Sequence, residues 1–328
     1  MVTIDAIRKP LAAELAEFDD FVRRNFSAGE GLIARMLEYV LSSRGKGIRP
    51  TVVMLSAALN SPNGGRFGKR TYLAAMLVEM IHVASLIHDD VIDESDMRRG
   101  RASVNARWQS HNAVVVGDYI LARNMDIGMS SGQYDIVSHV TKSIATLCEG
   151  EIIQSDHAER MDTSRETYLE IIRKKTASLL GVSASVGALS VGASADRIAA
   201  MRRFGEAVGM AFQIRDDILD YTRSADTGKP SNNDLRERKI TLPLIEVLER
   251  SDEAKRAELL AALAECAADG AKVDYIQREV ERADGLGLAC ETMTAYLQLA
   301  MSVLAEYDAS PYRDALMDLC TYVAERER

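Results

Sequence analysis

Apolar side chains recur at intervals of three and four residues along most of the chain, which is the spacing of one helix face. In the first part of the chain this pattern predicts four helices, at residues 4–21, 32–41, 52–59 and 73–92. It resumes in four further segments, at residues 113–129, 136–153, 168–186 and 198–221. Beyond residue 242 the chain is rich in Ala, Leu and Glu, with breaks near Gly270 and at residues 285–287. The pattern predicts a nearly all-α protein.

Composition supports one large helical domain. The 328 residues are 47% hydrophobic and 27% charged, which is typical of a globular protein with a large core. Only 6 Pro and 5% aromatic residues occur, and this scarcity favours helix over sheet. Because no linker rich in Pro, Gly or Ser divides the chain, we expect a single domain over residues 1–328.

Charge and cysteine content narrow the function classes. The net charge of −9 argues against a general nucleic-acid-binding protein, which needs a basic surface. The four cysteines are widely spaced, without a CxxC pair, and are expected to be buried thiols in a reducing cytoplasm. No uninterrupted apolar run has the length of a membrane span, although peripheral membrane contact is compatible with the sequence.

Two aspartate clusters with the same spacing stand far apart in the chain. They are Asp89-Asp90-x-x-Asp93 and Asp216-Asp217-x-x-Asp220. On a helix the first and last aspartates of a cluster share a face, so each cluster repels itself unless a cation binds. One cluster alone is equally compatible with a solvated acidic helix end, but two copies inside apolar segments favour a metal site. Mg²⁺ prefers oxygen ligands and leaves positions open for substrate phosphates.

A basic stretch without helical periodicity follows each cluster, at residues 94–109 and 222–239, and we predict a loop in both places. The first contains Arg98-Arg99-Gly100-Arg101, whose guanidinium groups can hold diphosphate oxygens, although such a run alone is usually a solvated loop. A further segment, Gly45-Lys46-Gly47-Ile48-Arg49-Pro50, lacks the length and the final Lys-Ser/Thr of an ATP-binding P-loop. It can still bind an anion at a helix N-terminus. The clusters and loops together predict two half-sites for a phosphorylated substrate.

Seven segments, taken in order, resemble the trans-polyprenyl diphosphate synthases, and most closely long-chain members such as octaprenyl diphosphate synthase. They are Gly45-Lys46-x-x-Arg49-Pro50, His82-x-x-Ser85-Leu86-Ile87-His88-Asp89-Asp90-x-x-Asp93, Arg98-Arg99-Gly100, Gly117-Asp118-Tyr119, Lys175-Thr176-Ala177, Phe212-Gln213-x-x-Asp216-Asp217-x-x-Asp220 and Gly228-Lys229-Pro230. Each segment is weak evidence alone, but their order and spacing extend over nearly the whole chain.

The resemblance implies an all-α, isoprenoid synthase-like bundle with a central apolar cavity, assembled as a homodimer. It implies a prenyltransferase in which about three Mg²⁺ ions bind the diphosphate of an allylic substrate, such as farnesyl diphosphate. Ionisation leaves an allylic cation, isopentenyl diphosphate attacks it, and a proton is lost to the departing pyrophosphate. The expected product is a long all-trans polyprenyl diphosphate, and its expected use is a quinone side chain.

The resemblance also assigns roles to single residues. It implies metal binding by all six aspartates: Asp89, Asp90, Asp93, Asp216, Asp217 and Asp220. The residues implied to take part directly in catalysis are Asp89, Asp90, Asp93, Asp216, Asp217 and Lys175. On the allylic side the implied substrate-binding residues are Arg98, Lys175, Thr176, Gln213, Lys229 and, more weakly, Lys239. On the isopentenyl side they are Lys46, Arg49, His82 and Arg99. This chain departs from the family at Gly47, where a second basic residue is common.

Two histidines in the segment before the first cluster receive different interpretations. A lone histidine on an apolar helix face is usually a core residue with satisfied hydrogen bonds. His82, however, precedes Asp89 by seven residues, which is two helical turns, and therefore lies on the same face. His88 has no such relation and is interpreted as structural.

Product length is expected to depend on the small residues Ala84 and Ser85, one turn before the first cluster, with Ile81 deeper on the same face. Short-chain family members often carry an aromatic residue at this position. Small side chains leave a tunnel for the growing tail, so we predict a product of roughly C30 to C50 in an elongated apolar pocket.

Two alternative functions are compatible with parts of the sequence. A class I terpene cyclase also ionises an allylic diphosphate, but its second metal motif usually differs and it needs no isopentenyl site. A non-catalytic subunit of a heteromeric prenyl synthase would typically lose some carboxylates, and this chain keeps all six.

Overall fold

The computed structural model describes residues 2–27, 29–43, 45–222 and 232–326. Within them the α-helices are α1 (Ile4–Arg8), α2 (Ala12–Asn25), α3 (Leu32–Ser42), α4 (Ile48–Asn60), α5 (Lys69–Ile92), α6 (Val104–Ser130), α7 (Tyr134–Arg160), α8 (Arg165–Ile172), α9 (Ser178–Ser190), α10 (Ala195–Thr222), α11 (Asn233–Arg236), α12 (Leu242–Arg250), α13 (Glu253–Glu265), α14 (Gly270–Arg282), α15 (Gly285–Leu304) and α16 (Pro311–Glu325). A 3₁₀ turn at Lys9–Leu11, a π-helical segment at Arg173–Ala177 and a two-stranded hairpin of β1 (Met97–Arg98) and β2 (Arg101–Ala102) complete the regular structure described. The predicted all-α fold is confirmed.

Helices α4, α5, α9 and α10 form the centre of the bundle. Helix α10 packs against α9 and α15, α4 packs against α9, and α5 packs against α6. Helices α9 and α10 approach closely, since a Cβ atom at Gly205 would stand 2.3 Å from the carbonyl oxygen of Leu180. The aspartate clusters lie at the C-terminal ends of α5 and α10, which brings both to one end of this core.

Helix α5 is the one helix in the described part of the chain that is long and apolar enough to cross a membrane. However, 78% of its apolar window is buried inside the fold. Its hydrophobicity is therefore that of a core helix whose side chains pack on several neighbours.

The loop predicted for residues 94–109 is shorter than expected. Helix α6 begins at Val104 because the hydroxyl of Ser103 accepts a hydrogen bond from the backbone N–H of Ala106 at 3.0 Å, which is an N-cap interaction. Residue Gln109 has a non-helical conformation, with φ of 72°, so the predicted end of the loop coincides with an interruption inside α6. Of the second predicted loop, residues 223–231 lie outside the described residues, and α11 forms after them.

The prediction that all four cysteines are buried is wrong for one of them. Cys266 and Cys320 are buried, Cys290 is partly buried and Cys148 is exposed on α7. All four are free thiols, as expected. Helix periodicity did not reveal Cys148 because it lies on the outer face of an amphipathic helix.

Candidate active site

A cavity of about 600 Å³ lies between the ends of α5 and α10. Asp89 and Asp216, the first aspartates of the two clusters, both line it. Basic side chains line it as well, from the segment before α4, from the hairpin and from the segment before α9. Two clusters separated by more than a hundred residues therefore face the same space, as the sequence predicts.

In the first cluster, the three aspartates have different environments. Asp89 is half-buried and faces the cavity, and Asp93 is exposed at the end of α5. Asp90 is 2% exposed, and its Oδ1 accepts hydrogen bonds from Nε of Arg98 at 2.8 Å and from a terminal guanidinium nitrogen at 2.5 Å. Arg98 thus holds Asp90, the buried aspartate of the cluster, while Asp89 lines the cavity and Asp93 is exposed.

The second cluster repeats this division. Asp216 faces the cavity, whereas Asp217 and Asp220 are 5% and 7% exposed. The carboxylate of Asp217 accepts hydrogen bonds from Tyr168 and Gln213, and that of Asp220 accepts one from the backbone N–H of Asp234 at 3.1 Å. Burial, and then the charge of Asp234, raise the pKa of Asp217 well above its ordinary value, while the two hydrogen bonds lower it.

The aspartates fit a divalent cation that also binds substrate. Among the described residues, no three carboxylate, imidazole or thiol groups converge closely enough to hold an ion by themselves. Mg²⁺ is commonly bound by one or two carboxylates together with water and substrate phosphates, so a ready-made protein cage is not required. Asp89 and Asp216, one from each cluster, present hard oxygen atoms of this kind to the cavity. Their chemistry therefore fits a cation that is held jointly by the protein and a phosphorylated substrate.

A π-helical segment, Arg173–Ala177, joins α8 to α9 and carries two predicted site residues. Such segments are frequent at functional sites because they turn side chains off the regular helix face. Lys175 reaches the cavity, where its Nζ lies 2.8 Å from a carboxylate oxygen of Glu151 and donates to Oε1 of Gln154 at 2.9 Å. Thr176 donates to Oε1 of Gln213 at 2.8 Å. The structure thus brings the predicted residues Lys175, Thr176 and Gln213 together.

The opposite side of the cavity is strongly basic. Lys46, Arg49, His82 and Arg99 all line it, as the sequence predicts. Burial lowers the pKa of Arg49 to about 10, so its guanidinium remains charged at neutral pH. Burial, and then the charge of Arg49, lower the pKa of His82 well below its ordinary value, so the imidazole is neutral there.

Two glycines of the first basic segment have clear structural reasons. Gly47 adopts the left-handed conformation, with φ of 59°, directly before α4. A Cβ atom at Gly45 would stand 2.3 Å from the guanidinium carbon of Arg99, so glycine leaves room for that side chain. The departure from the family at Gly47 therefore accompanies a backbone conformation that glycine adopts most readily.

Several residues that contact the predicted site residues were missed by sequence reasoning. Arg326, after α16, is 7% exposed and donates to Oδ1 of Asp216 at 2.7 Å and to the carbonyl of Phe212 at 2.9 Å. Its guanidinium also stacks on the Phe212 ring, 3.7 Å from the centroid. No sequence motif marks Arg326, because the contact joins residues more than a hundred positions apart. Glu151 and Gln154 carried a signal, since their spacing of three places both on one face of α7.

Other predicted residues lie at the margin of the cavity or away from it. Ser85 lines the cavity, whereas Ala84 and Ile81 are 0% and 2% exposed and are absent from its described wall. Lys239 lines a smaller adjoining cavity of about 140 Å³ and pairs with Glu237 at 2.5 Å. Lys229, with the segment Gly228-Lys229-Pro230, lies outside the described residues.

His88 and Gly117 form a packing contact between α5 and α6. A Cβ atom at Gly117 would stand 2.3 Å from Nε2 of His88, and the same nitrogen lies 3.3 Å from the carbonyl oxygen of Val114 and 3.4 Å from Oδ1 of Asp118. This contact accounts for the segment Gly117-Asp118 and agrees with the structural interpretation of His88.

Comparison with known proteins assigns the family. The chain matches the Polyprenyl synthetase family model over residues 30–280, and it therefore belongs to that family. It is 35% identical to the heptaprenyl diphosphate synthase component 2 of Geobacillus stearothermophilus, with 97% of each chain covered. It is 33% identical to the short chain isoprenyl diphosphate synthase of Methanothermobacter thermautotrophicus, with 100% of this chain and 99% of the relative covered. The predicted family and its prenyltransferase activity are confirmed.

A solved structure supports the same assignment. The polyprenyl synthase from Caulobacter crescentus, complexed with calcium and isoprenyl diphosphate, is 28% identical and superposes with a TM-score of 0.89. The match covers 100% of this chain and 99% of that chain. The fold seen here is therefore that of the isoprenoid synthases.

The burial of Asp89 predicts a measurable pH dependence in the metal-free protein. Burial, and then the charge of Glu151, raise the pKa of Asp89 to about 6 in the folded protein. In the unfolded chain the pKa of an aspartate is about 4. Ionisation of Asp89 therefore lowers the free energy of unfolding as the pH rises from about 4 to about 6. In EDTA, we expect Asp89→Asn to melt at a higher temperature than the wild type at neutral pH, with the difference vanishing below about pH 4.

Calorimetric melting curves across this range would check the expectation. Asp93→Asn is the comparison variant, because Asp93 is exposed and its charge is a smaller cause of the raised pKa of Asp89 than burial and Glu151 are, so we expect a smaller stabilisation. Equal stabilisation by the two substitutions at neutral pH would contradict the account of Asp89.

Proposed function

We propose that this chain is a Mg²⁺-dependent trans-polyprenyl diphosphate synthase that adds isopentenyl diphosphate repeatedly to an allylic diphosphate. The observation that carries the proposal is the single cavity of about 600 Å³, where two carboxylate clusters meet two separate groups of basic side chains. Each of the two substrate diphosphates needs its own group of basic side chains. Only the allylic diphosphate must ionise, so only that diphosphate needs cations.

On the allylic side, Lys175 and Arg98 bind the diphosphate, and Thr176 and Gln213 adjoin it. When bound, Mg²⁺ neutralises charge on that diphosphate and favours cleavage of its C–O bond. Lys175 is already aimed into the cavity by Glu151 and Gln154. The side chains are thus positioned before substrate arrives, which reduces reorganisation during ionisation.

On the isopentenyl side, Lys46, Arg49, His82 and Arg99 bind the second diphosphate. Planar guanidinium groups suit diphosphate oxygens because they donate two parallel hydrogen bonds. Arg49 is half-buried, and the charge of Glu79, which is 4% exposed, partly offsets the lowering of the Arg49 pKa by desolvation. This arrangement holds the isopentenyl double bond near the allylic carbon, and the departing pyrophosphate accepts the proton released after attack.

Turnover by the purified single chain tests the proposal. With Mg²⁺, farnesyl diphosphate and isopentenyl diphosphate, we expect pyrophosphate release and longer prenyl products by mass spectrometry. With farnesyl diphosphate alone, we expect no consumption, because condensation needs both substrates. Consumption of farnesyl diphosphate alone would indicate a cyclase instead. Inactivity of the single chain would favour a subunit role, which the name component 2 indicates for the Geobacillus relative.

We propose a product of roughly C30 to C50, since a small residue lines the wall where the tail enters the apolar pocket. Ser85 is that residue, four positions before Asp89. The relatives span several product lengths by name, so similarity alone does not choose among them. Use of the product in a quinone side chain, a cytoplasmic location and peripheral membrane contact during release remain predictions.

Substitution of Ser85 tests the direction of the tail. We expect Ser85→Phe to shorten the product, because the aromatic ring fills the cavity next to Asp89. Mass spectrometry of products from several allylic primers provides the measurement. Ser85→Ala is the matched control and should leave the length unchanged. An unchanged product from a folded, active Ser85→Phe enzyme would contradict growth of the tail past this residue.

We propose that two copies assemble through α6. Three apolar side chains are exposed close together along that helix, with exposed fractions of 51% for Val115, 40% for Val114 and 38% for Tyr119. Exposed apolar side chains grouped along one helix in this way mark an interaction surface more often than an isolated exposed residue does.

Light scattering on the purified protein tests this assembly. We expect the wild type to have the mass of a dimer and Val115→Asp to have the mass of a monomer. Leu299→Asp is the matched control, because Leu299 is 49% exposed on α15. A monomeric wild type, or dissociation by Leu299→Asp alone, would contradict assembly through α6.

A further inference from the structure

A chain of hydrogen bonds connects the π-helical segment to the second aspartate cluster. Thr176 donates to Oε1 of Gln213 at 2.8 Å, and Nε2 of Gln213 donates to Oδ1 of Asp217 at 2.9 Å. The hydroxyl of Tyr168 donates to Oδ2 of Asp217 at 2.6 Å. Both carboxylate oxygens of Asp217 are thus held by side chains from two different helices.

The Tyr168 hydroxyl is a buried polar group whose hydrogen-bond partner is Asp217. Tyr168 lies on α8, is 3% exposed and belongs to the wall of the smaller cavity, with Asp217 and Gln213. A buried hydroxyl needs a partner, and a buried carboxylate needs donors to offset its lost hydration. When the second cluster holds a cation and Asp217 is ionised, the bond from the neutral Tyr168 hydroxyl to the carboxylate is among the stronger kinds of hydrogen bond in proteins.

The position of this bond relates it to the cation site. Asp217 is adjacent in sequence to Asp216, which faces the main cavity, and Gln213 lines both cavities. Since Asp217 is 5% exposed, its charge acts on the cavity from a fixed place. Loss of one of its two donors would let the carboxylate rotate and change the field at Asp216.

We propose that Tyr168 is a positioning residue for Asp217, whose orientation sets how strongly the second cluster binds Mg²⁺ and diphosphate. This inference rests on the proposed function, because it assumes that the second cluster holds cation and diphosphate. Groups that orient metal-binding side chains typically contribute about 10-fold to 100-fold in metal affinity or activity.

Tyr168→Phe tests the proposal, because it removes only the hydroxyl. Calorimetric titration with inorganic pyrophosphate at several Mg²⁺ concentrations measures binding without turnover. We expect the Mg²⁺ concentration for half-maximal pyrophosphate binding to rise about tenfold. We also expect the KM for the allylic diphosphate to rise while the KM for isopentenyl diphosphate remains unchanged.

Tyr72→Phe is the matched control. Tyr72 is buried, and its hydroxyl donates to a carboxylate oxygen of Glu17 at 3.0 Å, between α5 and α2. It is the same substitution at the same kind of bond, away from the cavity, and should leave all three quantities unchanged. The rise in melting temperature on adding Mg²⁺ and pyrophosphate is compared with each variant's own baseline, so general destabilisation does not imitate the effect.

The outcomes separate two kinds of failure. A wild-type protein that binds no pyrophosphate with Mg²⁺ would overturn the proposed function together with the inference. A wild type that binds it and a Tyr168→Phe variant with the same Mg²⁺ requirement would overturn the positioning role alone. An equal change in Tyr72→Phe would also overturn it.

Discussion

The cost of placing carboxylates at the ends of two buried helices determines the arrangement of this active site. Burial disfavours an ionised carboxylate unless hydrogen bonds or cations compensate. Three of the six aspartates are buried and already hydrogen-bonded by the protein, and they are Asp90, Asp217 and Asp220. The other three, Asp89, Asp93 and Asp216, are less buried. The protein thus holds the inner set in place. In the proposed function the outer set binds cations together with substrate, and Asp216 of that set also pairs with Arg326.

The basic side chains near the clusters fall into two groups by their contacts. Some are paired with carboxylates in the described structure, as Arg98 is with Asp90, Lys175 with Glu151 and Arg326 with Asp216. Others, including Arg49 and His82, line the opposite wall. In the proposed function, binding of substrate and Mg²⁺ exchanges these ion pairs for new ones. Until then, the existing pairs hold the basic side chains in place.

The sequence predicted the helices and the meeting of the two clusters well, because both follow from local periodicity and from the resemblance to a known family. Sequence reasoning missed the residues that reach the site through contacts between distant parts of the chain. Arg326 and Tyr168 reach the site only through tertiary packing. Ala84 was expected beside Ser85 in the wall, but successive residues on a helix point in different directions, so only Ser85 reaches it. Ser103 shortened the predicted loop through a cap whose geometry periodicity does not reveal.

The central claim is that both clusters act on one diphosphate, and a double-mutant cycle tests it most directly. Pyrophosphate binding in Mg²⁺ is measured for the wild type, Asp89→Asn, Asp216→Asn and the double variant. The effects of residues that share one ligand are not additive. We therefore expect the double variant to bind pyrophosphate only slightly more weakly than the single variant with the lower affinity. Losses that simply add would contradict a shared diphosphate and would indicate two independent sites.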